Sequence, residues 1–194
     1  PLYRVENQPY IHYRKGSLVF YRLREEIGED VLNRALKRFL TDKGYQQPPY
    51  TTSQELLDYI RAEAGPQHEQ LIVDLFEKIS FYDNRVVAAT ASKRADGKYE
   101  VALTLKAGKR YSDGLGKETD GALDDWIEVG VYGRAASGNR DDQKVLYLER
   151  KHITEAEPKF SIVVDEEPYE AGFDPSNKLI DRVSVDNRKR IELL

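Results

Sequence analysis

The periodicity of this chain changes once, near residue 85, and that change limits the folds open to it. Up to about residue 80, apolar residues recur three and four apart, as on one face of a helix. From Arg85 onward they alternate with polar residues, and glycine turns and valines become frequent, as in strands half covered by a core. Helices first and strands after predict an α+β chain of two parts, with boundaries at residues 1–84 and 85–194. The 194 residues suffice for two small domains with real cores.

Within the first part, residues 1–14 hold Tyr3, Tyr10 and Tyr13 around Asn7-Gln8-Pro9 without any period, and read as an extended lead-in. A first helix is expected over about residues 15–27, with Leu18, Val19, Leu23 and Ile27 on one face and Gly28 ending it. A second covers about residues 30–42, where Val31, Leu32, Ala35, Leu36, Phe39 and Leu40 form the stripe and Lys43-Gly44 the end. The Pro48-Pro49 pair makes a rigid connector, because proline lacks the donor a helix needs. Thr52-Ser53-Gln54-Glu55 has capping-box spacing and opens a third helix through Leu56, Leu57 and Ile60, which Gly65-Pro66 stops. A fourth is expected over about residues 67–80, turning Leu71, Ile72, Leu75, Phe76 and Ile79 inward. Four short amphipathic helices with short joins predict a helical array.

In the second part, residues 86–93 and 98–106 flank Ala95-Asp96-Gly97 as a hairpin. Further strands are expected at residues 126–132, 145–153, 159–164 and 182–185, with charged, glycine-bearing loops at 112–121 and 134–142. Short half-apolar strands at this spacing predict an antiparallel β-sandwich of the immunoglobulin-like kind.

Charges of both signs are interspersed and sum to −4, so there is no basic footprint and nucleic acid is not an expected partner. The absence of cysteine excludes disulfides and thiolate metal sites. No apolar run approaches the ~20 residues that span a bilayer, so this segment is expected to be a soluble domain making no membrane contact itself. The chain has no methionine and begins Pro1-Leu2-Tyr3. Initiator removal accounts for that, and so does excision from a longer protein, which is the expectation carried forward.

Several segments invite a chemical reading. His68-Glu69-Gln70-Leu71-Ile72 nearly matches His-Glu-x-x-His, in which histidines one turn apart grip a zinc ion, but Ile72 stands at the second ligand position. An ordinary helix start is expected there. With His12, His68 and His152 widely separated, no metal cluster is expected in this chain. Gly114-Leu115-Gly116-Lys117-Glu118-Thr119 lacks phosphate-loop spacing and reads as a loop between strands. Asp165-Glu166-Glu167 and Asp141-Asp142 offer oxygen ligands to a hard cation, yet read first as solvated loops. Trp126 and the thirteen tyrosines suit either a ligand platform or a core.

One constellation carries more. Tyr13-Arg14-Lys15-Gly16-Ser17-Leu18-Val19 is followed by Leu23, Ile27-Gly28-Glu29-Asp30, Ala35-Leu36, Phe39-Leu40, Pro49-Tyr50-Thr51-Thr52-Ser53, Leu56-Leu57 and Asp74-Leu75-Phe76. This ordered series resembles the downstream part of the catalytic domain of zinc peptidases of the aminopeptidase N type, whose own motif reads Tyr-Glu-Lys-Gly. Arg14 stands where those relatives usually have glutamate. A closer likeness is to bacterial proteins in which such a peptidase region is fused behind an ABC-type transporter permease. Gln8-Pro9-Tyr10-Ile11-His12, Tyr82-Asp83-Asn84-Arg85, Gly116-Lys117-Glu118-Thr119, Asp124-Asp125-Trp126-Ile127 and Asp174-Pro175-Ser176-Asn177-Lys178-Leu179-Ile180-Asp181 extend it over nearly the whole chain.

The resemblance implies that residues 1–84 form the helical C-terminal portion of a zinc-peptidase catalytic domain, and residues 85–194 a supporting sandwich. It also implies a single catalytic residue, Tyr13, and no cofactor bound by this chain, zinc belonging to the parent protein. In the family, zinc polarises the scissile carbonyl, a glutamate takes a proton from the metal-bound water, and the matching tyrosine donates a hydrogen bond to the oxygen of the tetrahedral intermediate. The implied partners are the upstream catalytic and membrane portions of the parent and its peptide substrate. The implied location is a bacterial inner membrane, reached through the parent. The 194 residues alone are expected not to hydrolyse peptides. Two other readings stand beside this one: a non-catalytic docking or peptide-sensing module of a transporter-associated protein, and a free-standing adhesive sandwich.

Overall fold

The helical periods become helices α1 (Gly16–Ile27), α2 (Glu29–Lys43), α3 (Ser53–Ala64) and α4 (Glu69–Ile72) in a computed structural model, which describes residues 1–194. Gly28 sits between the first two with φ +89°, a conformation that a side chain would strain, and donates its amide to the Arg24 carbonyl at 2.9 Å. Glu29 and Asp30 occupy the first turn of α2 and Lys43 its last, as the helix dipole favours. The capping box of α3 closes in both directions: Glu55 N donates to Thr52 Oγ1 at 3.2 Å, and Thr52 N donates to Glu55 Oε2 at 2.9 Å. Lys43 Nζ, 2.5 Å from Glu55 Oε1, ties the end of α2 to the start of α3.

These helices share a core built from Val19, Leu23 and Ile27 of α1, Leu32 and Ala35 of α2, Leu57 and Ile60 of α3, and Ile72 with Phe76 beyond. Burying each large side chain is worth about 1.5–3 kcal/mol. The pair between Arg38 and Glu63, whose arginine is half exposed, is screened by solvent and adds little, so burial rather than charge holds the array.

Both ends of this helical region differ from the expectation. The lead-in is not extended: Leu2–Arg4 make a 3-10 turn and Tyr10–Lys15 a π-helical turn running directly into α1. Pro9, with φ −55°, starts that turn without needing an amide partner, and the Gln8 carbonyl accepts from both Ile11 N at 2.8 Å and His12 N at 3.1 Å. The fourth helix stops short of Ser80. After α4 a π-helical turn spans Val73–Glu77, and Ile79–Tyr82 form a strand, β1. Alternation over four residues is too short to separate from a helical face by periodicity.

The remaining strands are β2 (Arg85–Lys93), β3 (Tyr99–Lys106), β4 (Lys109–Ser112), β5 (Glu118–Asp120), β6 (Asp125–Tyr132), β7 (Val145–Ile153), β8 (Lys159–Val164), β9 (Glu170–Phe173), β10 (Arg188–Arg190) and β11 (Glu192–Leu193). They form three sheets with the orders β1–β4–β5, β10–β9–β6–β7 and β11–β2–β3–β8. The second sheet pairs antiparallel throughout, and in the third only β11 runs parallel to its neighbour, β2. In the hairpin of β2 and β3, Arg94 N donates to the Lys98 carbonyl at 2.8 Å, and the three-residue loop it closes, 95–97, ends on Gly97 at φ +85°. Val101, Leu103 and Ile162 of the third sheet lie in one cluster with Ile127, Val129, Val131 and Phe173 of the second.

Residues 182–185 are not a strand. Asp181 Oδ1 accepts the Val183 amide at 2.9 Å, Ser184–Asn187 form a 3-10 turn, and Val183 and Val185 are exposed, so their alternation faces no core. Five further strands were not expected: β4, β5, β10 and β11 are two to four residues long, too short for a readable period, and β5 falls in the expected loop 112–121; β9 has all four residues buried and therefore no alternation to read.

The chain divides into two compact units, Pro1–Ser80 with Ser112–Lys117 and Phe81–Tyr111 with Glu118–Leu194. No helix is long and apolar enough to cross a membrane.

Candidate functional site

Tyr13 lies in the π-helical turn Tyr10–Lys15, in the last residues before α1. Such turns insert one residue into the helical ladder and re-aim the side chains they carry. Here the tyrosine is 72% exposed, with its ring 4.7 Å from that of His12 and tilted by 49°. The turn is anchored from behind by Lys15, whose Nζ donates to the Lys78 carbonyl at 3.2 Å, just past the turn Val73–Glu77. Burial holds the Lys15 ammonium below the ordinary lysine range. The motif thus divides its work: Tyr13 faces out, and Lys15 fixes the backbone that presents it.

Gly16 is buried, and a Cβ placed on it would meet nothing closer than the Ile11 carbonyl oxygen at 3.8 Å and Leu2 Cδ1 at 3.9 Å. Crowding within the chain therefore does not require a glycine there. Its φ of −57° does not require one either.

Tyr13 and Gly16 border a cleft of about 470 Å³ in the helical unit. Phe20, Leu56, Leu57 and Phe76 line its inner side, with Phe20 and Phe76 edge to face at 5.6 Å. Leu2, Tyr3 and Val5, in the stretch whose sequence predicts an extended lead-in, also line the cleft, where the turn Leu2–Arg4 brings them. Ser53 fastens that turn by donating its hydroxyl to the Tyr3 carbonyl at 2.6 Å. The cleft was not legible in advance: Leu57 and Phe76 read as core, and no local signal joins them to residues fifty positions away.

The other sequence candidates lie elsewhere. His68 Nδ1 is 2.8 Å from the Ala64 carbonyl at the end of α3, and Ile72, at the position a second zinc ligand would need, is fully buried in the core. His152 sits beside the Asp124 carboxylate and stacks on Trp126 with ring centroids 5.1 Å apart. His12 contacts Tyr13. No group of three or more histidine, cysteine, aspartate or glutamate residues is arranged to hold a metal ion, so the residues of this chain do not fit a zinc site. In the glycine-bearing loop, Asp113 Oδ1 accepts the amides of Leu115 and Lys117 at 2.7 and 3.1 Å. A carboxylate therefore takes the donors a phosphate would need. Asp142 accepts the Ser137 hydroxyl, and Asp165 and Glu166 pair with Lys98 and Lys144. Trp126 is 46% exposed and belongs to no core.

The chain matches no protein-family model and no curated protein.

Proposed function

We propose that this chain is the C-terminal part of a zinc aminopeptidase of the aminopeptidase N type, fused in its parent to a bacterial ABC-type transporter permease. In this reading the helical part supplies one catalytic group, Tyr13. The rest of the chain supports it as an immunoglobulin-like sandwich, and the parent supplies the zinc site, the general base and the tether to the inner membrane. The strand order supports the sandwich: β2–β3–β8 and β10–β9–β6–β7 follow the Greek-key sequence of such domains, with a β4–β5 insertion.

The observation that carries the catalytic reading is a tyrosine presented to solvent, 72% exposed, at the edge of a cleft, on a turn held from behind by Lys15. A phenolic hydroxyl so placed donates a hydrogen bond to the negatively charged oxygen of a tetrahedral intermediate. Tyr10, Leu18 and Tyr21 are exposed along the same stretch and offer the rest of the parent an apolar surface.

The test is Tyr13→Phe in the complete protein. Loss of one such donor costs about 100- to 1,000-fold in kcat, and zinc content is expected to stay unchanged. Wild-type turnover by the variant would remove Tyr13 from the mechanism. The non-catalytic reading, a peptide-sensing or docking module, is favoured by a different observation, the predominantly apolar lining of the cleft. It predicts that the parent lacks an intact His-Glu-x-x-His and binds peptides without turnover.

A further inference from the structure

We propose that the corner of the second sheet where β6, β9 and β10 end is a binding site for a phosphate monoester group, held by Arg134 and Arg190 over the ring of Tyr169. The inference is independent of the reading of Tyr13, since every residue it uses lies in the unit formed by Phe81–Tyr111 with Glu118–Leu194.

The strand register brings these residues together. β9 pairs antiparallel with β6, placing Glu170 opposite Tyr132, and antiparallel with β10, placing Glu170 opposite Arg190. Tyr169 immediately precedes β9, Arg134 follows β6 by two residues and Arg190 is the last residue of β10, so three strand ends deliver them to one corner. Both halves of the Tyr169 backbone are fixed there: its amide donates to the Tyr132 carbonyl and its carbonyl accepts the Ile191 amide, each at 2.8 Å. Over its ring lie two guanidinium groups, that of Arg134 at 4.6 Å and that of Arg190 at 5.0 Å from the centroid.

Two positive charges are thereby held no more than about 10 Å apart, near enough for one phosphate to be bridged by both. A guanidinium does not lose its proton in a protein, so the repulsion between the two is permanent and a dianion between them relieves it. Neither arginine makes an ion pair within the chain, in contrast to Arg140 and Arg188, which reach the buried carboxylate of Glu170 at 2.7 and 3.2 Å. In the acidic run before Tyr169, Asp165 and Glu166 are taken by Lys98 and Lys144, and Glu167 pairs with neither arginine. A chain of net charge −4 therefore keeps uncompensated positive charge at this corner. Stacking on the ring occupies the face of each guanidinium and leaves its N–H edge, the part that phosphate oxygens bind. Both arginines are exposed, so a ligand reaches them from solvent. A phosphate monoester brings about two negative charges and three acceptor oxygens at neutral pH, which suits two forks better than the single charge of a carboxylate.

The probes are inorganic phosphate, acetate, and phosphatidylcholine vesicles with and without phosphatidic acid. Phosphate titrated into the 194-residue chain at constant ionic strength is expected to shift the Tyr169 and Ile191 amide resonances and the Nε–H resonances of Arg134 and Arg190 saturably. Acetate is expected to bind at least about tenfold more weakly. Arg134→Gln and Arg190→Gln, both at exposed positions, are each expected to weaken phosphate at least about tenfold. Arg94→Gln, which removes an arginine paired with Asp96 in the hairpin loop, is expected to leave the affinity unchanged. The vesicles identify the source of the phosphate. Sedimentation with phosphatidic acid that both glutamine variants abolish makes the ligand a lipid headgroup, and phosphate binding without sedimentation makes it a soluble phosphate ester. The inference is overturned if phosphate gives no saturable shift at these residues, if acetate binds as tightly, or if both glutamine variants bind like the wild type. A loss in Arg94→Gln as large as in Arg134→Gln also overturns it, because diffuse attraction then accounts for the binding.

Discussion

Replacing Thr52 with alanine removes the hydroxyl that accepts the Glu55 amide at 3.2 Å at the start of α3. Losing a threonine N-cap costs about 0.5–2 kcal/mol. The other bond of the box, from Thr52 N to Glu55 Oε2 at 2.9 Å, uses the backbone of Thr52 and survives the substitution, which puts the expected loss in the lower half of that range, about 0.5–1 kcal/mol. In a unit of this size that lowers Tm by about 2–8 °C. Glu55→Gln probes the charge of the same box. Hydrogen bonds from Lys43, then from the Thr52 amide and the Thr51 hydroxyl, hold the Glu55 carboxyl down to about 2, against an ordinary value of 4.5. A carboxyl depressed on folding stabilises the folded state fully above its unfolded value and loses that contribution as pH falls through its folded one. The wild type is therefore expected to melt above Glu55→Gln at neutral pH, with the gap closing between about pH 4.5 and 2. Thermal unfolding followed by far-UV ellipticity measures both effects. The reasoning is refuted if Thr52→Ala melts with the wild type, or if the gap to Glu55→Gln does not change over that pH range. Because α3 also carries Leu56 and Leu57, a frayed start would loosen the cleft beside Tyr13 as well.

Two further outcomes are expected in the β unit. Lys109→Met strands the Asp125 carboxylate, which is 7% exposed and lies 3.3 Å from Lys109 Nζ, leaving it the Tyr82 hydroxyl at 2.8 Å and the Asp124 amide at 3.4 Å, neither of which carries a compensating charge. Urea denaturation should show a loss of about 3–5 kcal/mol, and Lys109→Met with Asp125→Leu should recover more than half of it; equal losses in the single and double variants would discount the pair. Gly97→Val forces a β-branched residue to φ +85° and should cost about 1–2 kcal/mol, whereas Gly97→Asn should cost clearly less, a difference readable from their denaturation midpoints.

What could be read ahead of the structure was local. The capping box at Thr52, the stop at Gly28 and the turn at Gly97 are each set by backbone demands within a few residues, and each stands where the sequence places it. The bounds of β7 and β8 were legible too, and β8 alternates covered and uncovered positions as a strand packed on one face does. Strand β9 was not, since both of its faces are covered; its Glu170 is buried against Arg140 and Arg188, which come from distant segments. The exposed Val183 and Val185 made the opposite error, an alternation with no core behind it.

The candidate site divides in the same way. Tyr13 is singled out by a resemblance carried by the ordered series from Tyr13 to Phe76, not by its neighbours alone. That Tyr13 stands out on a π-helical turn while Lys15 turns inward to the Lys78 carbonyl depends on where the segment after α4 ends, sixty-three residues away. The cleft depends on the fold-back of Leu2 and Tyr3 and on the hydroxyl of Ser53 that pins it. Sequence by itself determined the elements and the residue types, because propensity, capping and turn geometry act over a single turn of chain. Tertiary structure alone decided which side chains share a cleft, because burial sums contacts from segments whose separation leaves no mark on local periodicity.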